Sequence, residues 1–228
     1  MPPLIQPVVA VDVVLLCLRG GHLAVLLQTR AEPPFQHALA LPGVALHHDE
    51  SLLDAARRAL ALKTGLPHAF AAQVHMEQLA TFDALHRDPR GRTLSVAHVG
   101  LAAEAPDLGE SLRSLWKPVA ALAKGTLPFD HDDIVRAALD RLRGKLRYTN
   151  IAARLLPEVF RLDDLQGVYE AIVGRRFNRA NFRTKLLRIG LIEQAGVVVH
   201  APGAKGGRPP HLYRFKTLDV ASEARDFL

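Results

Sequence analysis

Residues 8 to 18 read VVAVDVVLLCL and residues 23 to 28 read LAVLLQ. Runs this rich in β-branched residues and leucine, parted by Arg19-Gly20-Gly21-His22, predict two strands joined by a hairpin or another tight connection. Between Glu50 and Lys63 the period changes, because apolar residues at 52, 53, 56 and 60 fall on one helical face. Asp49 is placed to cap that helix and Gly65 to stop it. A turn at Pro42-Gly43 precedes it. Residues 73 to 81 and 94 to 102 read as further strands around a polar turn from Arg87 to Arg92. Strands followed by helices in this order predict an α/β or α+β unit.

Pro128-Phe129-Asp130-His131-Asp132-Asp133 opens another helix, with apolar residues at 134, 135, 138, 139 and 142 and acids at its start, as the macrodipole favours. It either closes the first unit or leads into a second. Beyond Tyr148 the pattern shortens to helices around 150–160, 164–174 and 179–189, then strands at 191–199 and 211–216 joined by the glycine- and proline-rich loop 202–210. No internal repeat or low-complexity segment interrupts it. A chain of 228 residues with this change of rhythm predicts two compact units, each with its own core, at 1–147 and 148–228.

Composition narrows the class. Hydrophobic residues make up 49% and charged residues 23%, enough apolar surface to fold rather than stay disordered. The apolar run from Val8 to Leu18 is broken by Asp12 and too short to span a bilayer, and Pro2-Pro3 replaces the basic opening of a signal peptide. A cytoplasmic protein with no membrane partner is expected. The single cysteine, Cys17, excludes an internal disulfide and a cysteine-based zinc site, and its leucine neighbours predict a buried packing role. Charge separates the halves: residues 1–144 carry 14 Lys/Arg against 15 Asp/Glu, whereas residues 145–228 carry 15 against 8. A near-neutral front and a basic back point the back at a polyanion, either nucleic acid or an acidic membrane surface.

From Leu41 the sequence runs LPGVALHHDESLLDAARRALALKTGL, which resembles the Nudix box, a loop-helix-loop whose glutamates hold a divalent metal on a nucleoside diphosphate. The family pattern is Gly, five residues, Glu, seven residues, then Arg-Glu-hydrophobic-x-Glu-Glu-x-Gly. Gly43 is followed by six residues before Glu50, one more than the pattern has; Arg58 and Gly65 then align without gaps. Ala59, Leu62 and Lys63 stand where the resemblance places three metal-binding glutamates. Residues three or four apart share a helical face, so these three are expected to form the patch that would carry Mg²⁺. An alanine, a leucine and an ammonium supply none of the oxygen ligands a hard cation takes. Metal-assisted hydrolysis loses its Lewis acid and its activated water, so no catalytic residue is expected beyond the remnants Gly43, Glu50, Arg58 and Gly65. The plainer reading is an amphipathic helix after a Pro-Gly turn.

The segment QLATFD, the turn Arg-Asp-Pro-Arg-Gly-Arg and Ser95-Val96-Ala97 resemble the part of ADP-ribose-type Nudix proteins that follows the box. The resemblance makes Arg90, Arg92 and Phe82 the candidate ligand contacts: a guanidinium grips phosphate through paired donors and a ring stacks on a base. A solvated turn is the alternative for the arginines. His47-His48-Asp49-Glu50 and His131 among Asp130, Asp132 and Asp133 read as acidic helix starts ahead of metal ligand sets; no metal or cofactor is expected.

Residues 174 to 188 read as a capped basic helix. Asn178 is a suitable N-cap, Phe177 before it is placed to staple onto Phe182, and Gly190 ends it. Phe182, Leu186 and Ile189 make the buried stripe. Arg179, Asn181, Arg183, Lys185 and Arg188 face outward, with Asn178 at the start, as a set for phosphates and base edges in a major groove; a solvated basic face is the alternative. The preceding helix from Leu165 and the hairpin with Lys205 and Arg208 in its loop complete a winged helix-turn-helix pattern.

Together, the eroded box, the Arg-Asp-Pro-Arg-Gly-Arg turn, the Phe-Asp-His-Asp stretch and the closing Gly-Arg-Pro-Pro-His-Leu-Tyr-Arg-Phe resemble the Nudix-related transcriptional regulators of NAD metabolism, the NrtR family. The resemblance implies an α+β chain: an N-terminal Nudix-like α/β/α sandwich and a C-terminal winged helix. It further implies a homodimer on a palindromic operator in double-stranded DNA, released by ADP-ribose or a related NAD-derived nucleotide. Two other functions remain open: an active ADP-ribose pyrophosphatase with a nucleic-acid-binding tail, drawing on Glu50, Glu77, Asp83 or Glu104, and an RNA-binding or scaffolding protein.

Overall fold

The structure is a computed structural model describing residues 6–106, 114–197 and 211–217. Strands β1 (Val8–Arg19) and β2 (His22–Thr29) turn through Gly20 and Gly21, both at positive φ, as the sequence predicts. Then come β3 (Leu39–Ala40), β4 (Gly43–Ala45), helix α1 (Leu52–Thr64), helix α2 (His68–Gln73), β5 (His75–Phe82), β6 (Thr93–Ala102) and β7 (Ser114–Pro118). The sheet runs β3-β2-β1-β6-β5, with β4 on β1 and β7 on β2. β1 and β6 are parallel; the other pairings are antiparallel.

β1 has no polar alternation because both of its faces are covered. Val11, Val13 and Leu15 pack with Ala55, Ala56, Ala59 and Leu60 of α1. Val14 and Leu16 pack on the other side with Ile134, Ala138 and Leu142 of helix α3 (His131–Leu146). Cys17 is buried, as expected, and burial pushes its thiol pKa up. Ser51, not Asp49, caps α1: its hydroxyl accepts the Asp54 N–H at 3.2 Å. Gly65 stops the helix in the left-handed conformation. Leu53 and Leu62 are exposed and Ala55 and Ala59 buried, so the core face is turned toward the small residues that let α1 lie close on the sheet.

A 3-10 turn at Ile151–Leu155 stands where a helix over 150–160 was expected. The second sheet, β8-β10-β9, consists of β8 (Phe160–Arg161), β9 (Ile192–Val197) and β10 (His211–Phe215), packed with α4 (Leu162–Val173) and α5 (Arg179–Arg188). Asn178 caps α5, accepting from Asn181 N–H at 3.1 Å, and Phe177 meets Phe182 with ring centroids 5.5 Å apart, the predicted staple. Tyr169 of α4 meets Phe182 edge-on at 5.3 Å.

Apolar contacts continue across the junction between the expected units 1–147 and 148–228. One apolar cluster runs from Val14 and Leu16 through Leu142 and Leu146 of α3 into Leu165, Tyr169 and Phe182. α3 accounts for this, since its length presents apolar residues to the sheet and then to α4. Arg143 Nε donates to Ile172 O at 2.7 Å, satisfying a carbonyl in the last turn of α4. Among the described residues, no helix is long and apolar enough to cross a membrane.

Candidate functional site

A cavity of about 580 Å³ opens at one end of the central strands of the first sheet, between the start of β1, the Gly43 strand, the Arg87–Thr93 turn and the start of α3. Its floor is a buried polar network. Asp12 Oδ2 accepts from Ser95 Oγ at 2.6 Å and from Arg87 Nη2 at 3.4 Å; Arg87 also grips both carboxylate oxygens of Asp130, at 2.8 and 2.6 Å. His131 Nδ1 accepts the Leu41 N–H at 3.0 Å, and its Nε2 lies 3.9 Å from Asp12. Burial holds the His131 pKa below its ordinary value, so the ring stays neutral and keeps its acceptor. His131 therefore begins a helix and orders the loop before the box.

Phe129 faces the cavity. Its backbone is left-handed at φ 59°, a cost a phenylalanine bears only when surroundings fix it. The Arg30 guanidinium lies 4.9 Å and that of Arg90 5.9 Å from its ring centre, while Phe35 meets it edge-on at 5.0 Å. Burial, then the nearby Arg90 charge, lowers the Arg30 pKa, against the opposing pull of Asp88, Asp12 and Glu32.

Arg90 and Arg92 both line the cavity. Arg90 holds Asp88 through two bonds of 3.0 and 2.6 Å, and Arg92 donates to Asp83 O at 2.6 Å. Phe82 is not among the lining residues; it packs against the apolar cluster. The aromatic at the cavity is Phe129, with Arg30 and Arg87 as cations that local spacing left unmarked. The Phe-Asp-His-Asp stretch was the available signal, although periodicity alone does not place it opposite the Arg87–Arg92 turn.

The box residues separate. Gly43 lies on β4 against Asp12, where a Cβ would overlap Oδ1. Glu50 is bound to Arg58 through Arg58 Nε at 2.8 Å and Nη2, and it accepts the His47 N–H at 2.7 Å; the Arg58 bond holds its pKa at about 2. Ala59 is fully buried, Leu62 is 60% exposed, and Lys63 lines the cavity, so the three do not form one patch. Three carboxylates line the cavity: Asp12 and Asp88 are held by Arg87 and Arg90, and Glu32, at its exposed rim, is a single further oxygen donor beside Arg30 and Arg90. A divalent metal, which takes several oxygen ligands, does not fit this donor set. Glu77 is paired with Lys145 and His75, and neither it, Asp83 nor Glu104 lines the cavity.

On α5, Asn181 and Arg188 are exposed. Arg179 is exposed too but held by Asp163 on α4 at 2.6 and 3.1 Å. Arg183 Nε donates to Tyr213 Oη on β10 at 2.8 Å, fixing its stem against the hairpin. Glu170 accepts the Phe177 N–H at 2.8 Å and Arg176 at 2.8 Å, bracing the turn between α4 and α5. Lys205 and Arg208 lie outside the described residues.

A Nudix-like sandwich joined through α3 to a winged helix is the architecture of a regulator that carries a DNA-binding module. Residues 6–138 match the NUDIX domain and residues 152–215 the NrtR DNA-binding winged helix domain. The chain belongs to the NrtR family of Nudix-related transcriptional repressors. It is 34% identical over 219 residues to the ADPR responsive transcriptional repressor NtrR of Acinetobacter baylyi, covering 94% of this chain and 84% of that one. Shewanella oneidensis NrtR complexed with a 27mer DNA superposes with a TM-score of 0.74 at 31% identity, over 91% of this chain and 93% of that chain. The Nudix domain of the same protein complexed with ADP ribose gives a TM-score of 0.51 at 30% identity, over 61% and 90%.

Proposed function

We propose that this repressor senses ADP-ribose or a related NAD-derived nucleotide in the cavity beside Phe129, does not hydrolyse it, and loses its grip on operator DNA when the cavity fills. One observation carries the reading: Arg30, Lys63, Arg90 and Arg92 line one cavity, Arg30 and Arg90 over the Phe129 ring, and the box helix brings it a cation in place of a carboxylate. Guanidinium groups suit a diphosphate and Phe129 a base or ribose. Without several free oxygen donors, the residues present supply neither a Lewis acid nor an activated water.

The winged helix is the DNA-binding surface in this reading. Asn181, Arg183, Lys185 and Arg188 reach the duplex from α5, Arg179 and Asn178 lie at the helix start, and Lys205 and Arg208 contact the backbone from the wing. The chain acts as a cytoplasmic homodimer on a palindromic site, with the working boundary of the two units near residue 147. The Acinetobacter and Shewanella relatives support the effector and the DNA by their names. An effector regulates only if it binds the DNA-competent and DNA-free arrangements unequally, and α3, which packs on both the first sheet and α4, is the element positioned to transmit that difference.

The test is fluorescence anisotropy of the full chain on duplex DNA from upstream of its own gene, with and without ADP-ribose, at two salt concentrations. ADP-ribose is expected to weaken binding and salt to weaken it steeply. Arg183→Ala and Arg208→Ala each lower affinity. Unchanged affinity in both variants overturns the DNA surface, and rapid AMP release from ADP-ribose with Mg²⁺ overturns the non-hydrolytic reading.

A further inference from the structure

Within the effector reading, two cavity cations stand apart from the rest. Arg87 is neutralised by Asp12 and Asp130, and Arg90 by Asp88. Arg92 turns to the backbone of Asp83, whose carboxylate lies 4.0 Å away. Among the described residues, Arg30 donates to the carbonyls of Pro34 and Glu32, at 2.8 and 3.2 Å, and feels the carboxylates of Asp88, Asp12 and Glu32 without pairing with any of them. Neither Arg30 nor Lys63 forms a salt bridge with a carboxylate among the described residues. Both line the cavity, from opposite parts of the chain: Arg30 just after β2, Lys63 in the last turn of α1.

The position of Lys63 gives this meaning. In the Nudix pattern its place belongs to a glutamate, a charge of −1 that is useful only with a metal between it and the substrate phosphates. A lysine there carries +1 and addresses the phosphates directly. Its location in the last turn of α1 also favours a cation, since the helix C-terminus is negative. We infer that Lys63, with Arg30, takes over the charge-neutralising role of the absent metal, so that this cavity binds the diphosphate of its nucleotide effector without any divalent cation. This inference rests on the effector reading for the identity of the ligand but not for the anion chemistry. An ammonium placed near a diphosphate also repels Mg²⁺, so the same residue that secures the ligand blocks the metal that would cut it.

The test is calorimetric titration of the full chain with ADP-ribose in excess EDTA and in excess Mg²⁺, for the wild type, Lys63→Met and Lys63→Arg. The wild type is expected to bind equally in both buffers. Lys63→Met weakens binding about tenfold, the scale of one charge-assisted hydrogen bond, and Lys63→Arg largely restores it. Circular dichroism and melting of each variant monitor the fold, and the exposure of Lys63 predicts little change. Binding that needs Mg²⁺, or Lys63→Met binding as tightly as the wild type, overturns the inference. Inorganic pyrophosphate as a second ligand separates the two readings. If ADP-ribose fails to bind but pyrophosphate binds the wild type more tightly than Lys63→Met, the anion site stands and the effector is another diphosphate. If neither ligand binds the wild type, the anion site falls.

Discussion

The carboxylate of Asp12 occupies the space where Gly43 lacks a side chain: a Cβ on Gly43 would overlap Oδ1 and come within 3.1 Å of Cγ. The two residues face each other across the β1–β4 pair. The box-opening glycine is thus required by the buried acid beside it, not by a special backbone angle. Gly43→Ala is expected to push Asp12 from Ser95 and Arg87 and destabilise the chain by about 2 kcal/mol, the scale of overpacking, while lowering effector affinity. Differential scanning calorimetry with an effector titration checks this, and an unchanged melting temperature would refute it.

Glu50 is held by Arg58 at a pKa of about 2, against an ordinary 4.5. A carboxylate with a depressed pKa in the folded state contributes stability above 4.5 that is lost as pH falls toward 2. Glu50→Gln should therefore melt lower than the wild type at neutral pH, with the gap closing across that window. A gap that stays constant from pH 5 to pH 2 rules the pair out as the source.

His131 is a base whose pKa is lowered by burial, so its sign differs. The unfolded chain takes up a proton near pH 6.5 that the folded chain refuses, and stability falls as pH drops below that value. The charges of Asp12 and Asp130 favour the protonated ring, and those of Arg87 and Arg30 oppose it. His98, buried on β6, adds to the same slope. His131→Asn offers Oδ1 to the Leu41 N–H and cannot protonate, so its melting temperature should depend less on pH between 6.5 and 5. An unaltered slope assigns the effect elsewhere.

If α5 meets DNA as proposed, Asp163, which holds Arg179 at 2.6 Å, competes with the duplex for that guanidinium. The pair is exposed at both ends, so it is held weakly. Asp163→Ala frees the guanidinium and removes a negative charge near the duplex; operator affinity should rise about threefold and its salt dependence steepen. Weaker binding by this variant would mean that the pair orients α5 rather than restraining Arg179.

Periodicity and punctuation settled much of the chain in advance. The β-branched and leucine-rich run of β1 marked a strand, Gly65 marked the end of α1, and Asn178 with Phe177 and Phe182 fixed the start of α5; each of these is decided within a few residues, whereas the cover on both faces of β1 came from tertiary packing. Ser51 replacing Asp49 as the cap is a local error of the same kind, two adequate acceptors two positions apart. The cavity was another matter. Arg90 and Arg92 were legible because they stand in one turn, but Arg87 meets Asp130 across 43 positions, Asp12 across 75, and His131 meets Leu41 across 90. Those encounters depend on the parallel register of β1 and β6 and on where α3 lands on the sheet. A sequence pattern states which face a residue occupies; only closure of the sheet and docking of α3 state which faces meet, and that made Phe129 rather than Phe82 the ring at the cavity.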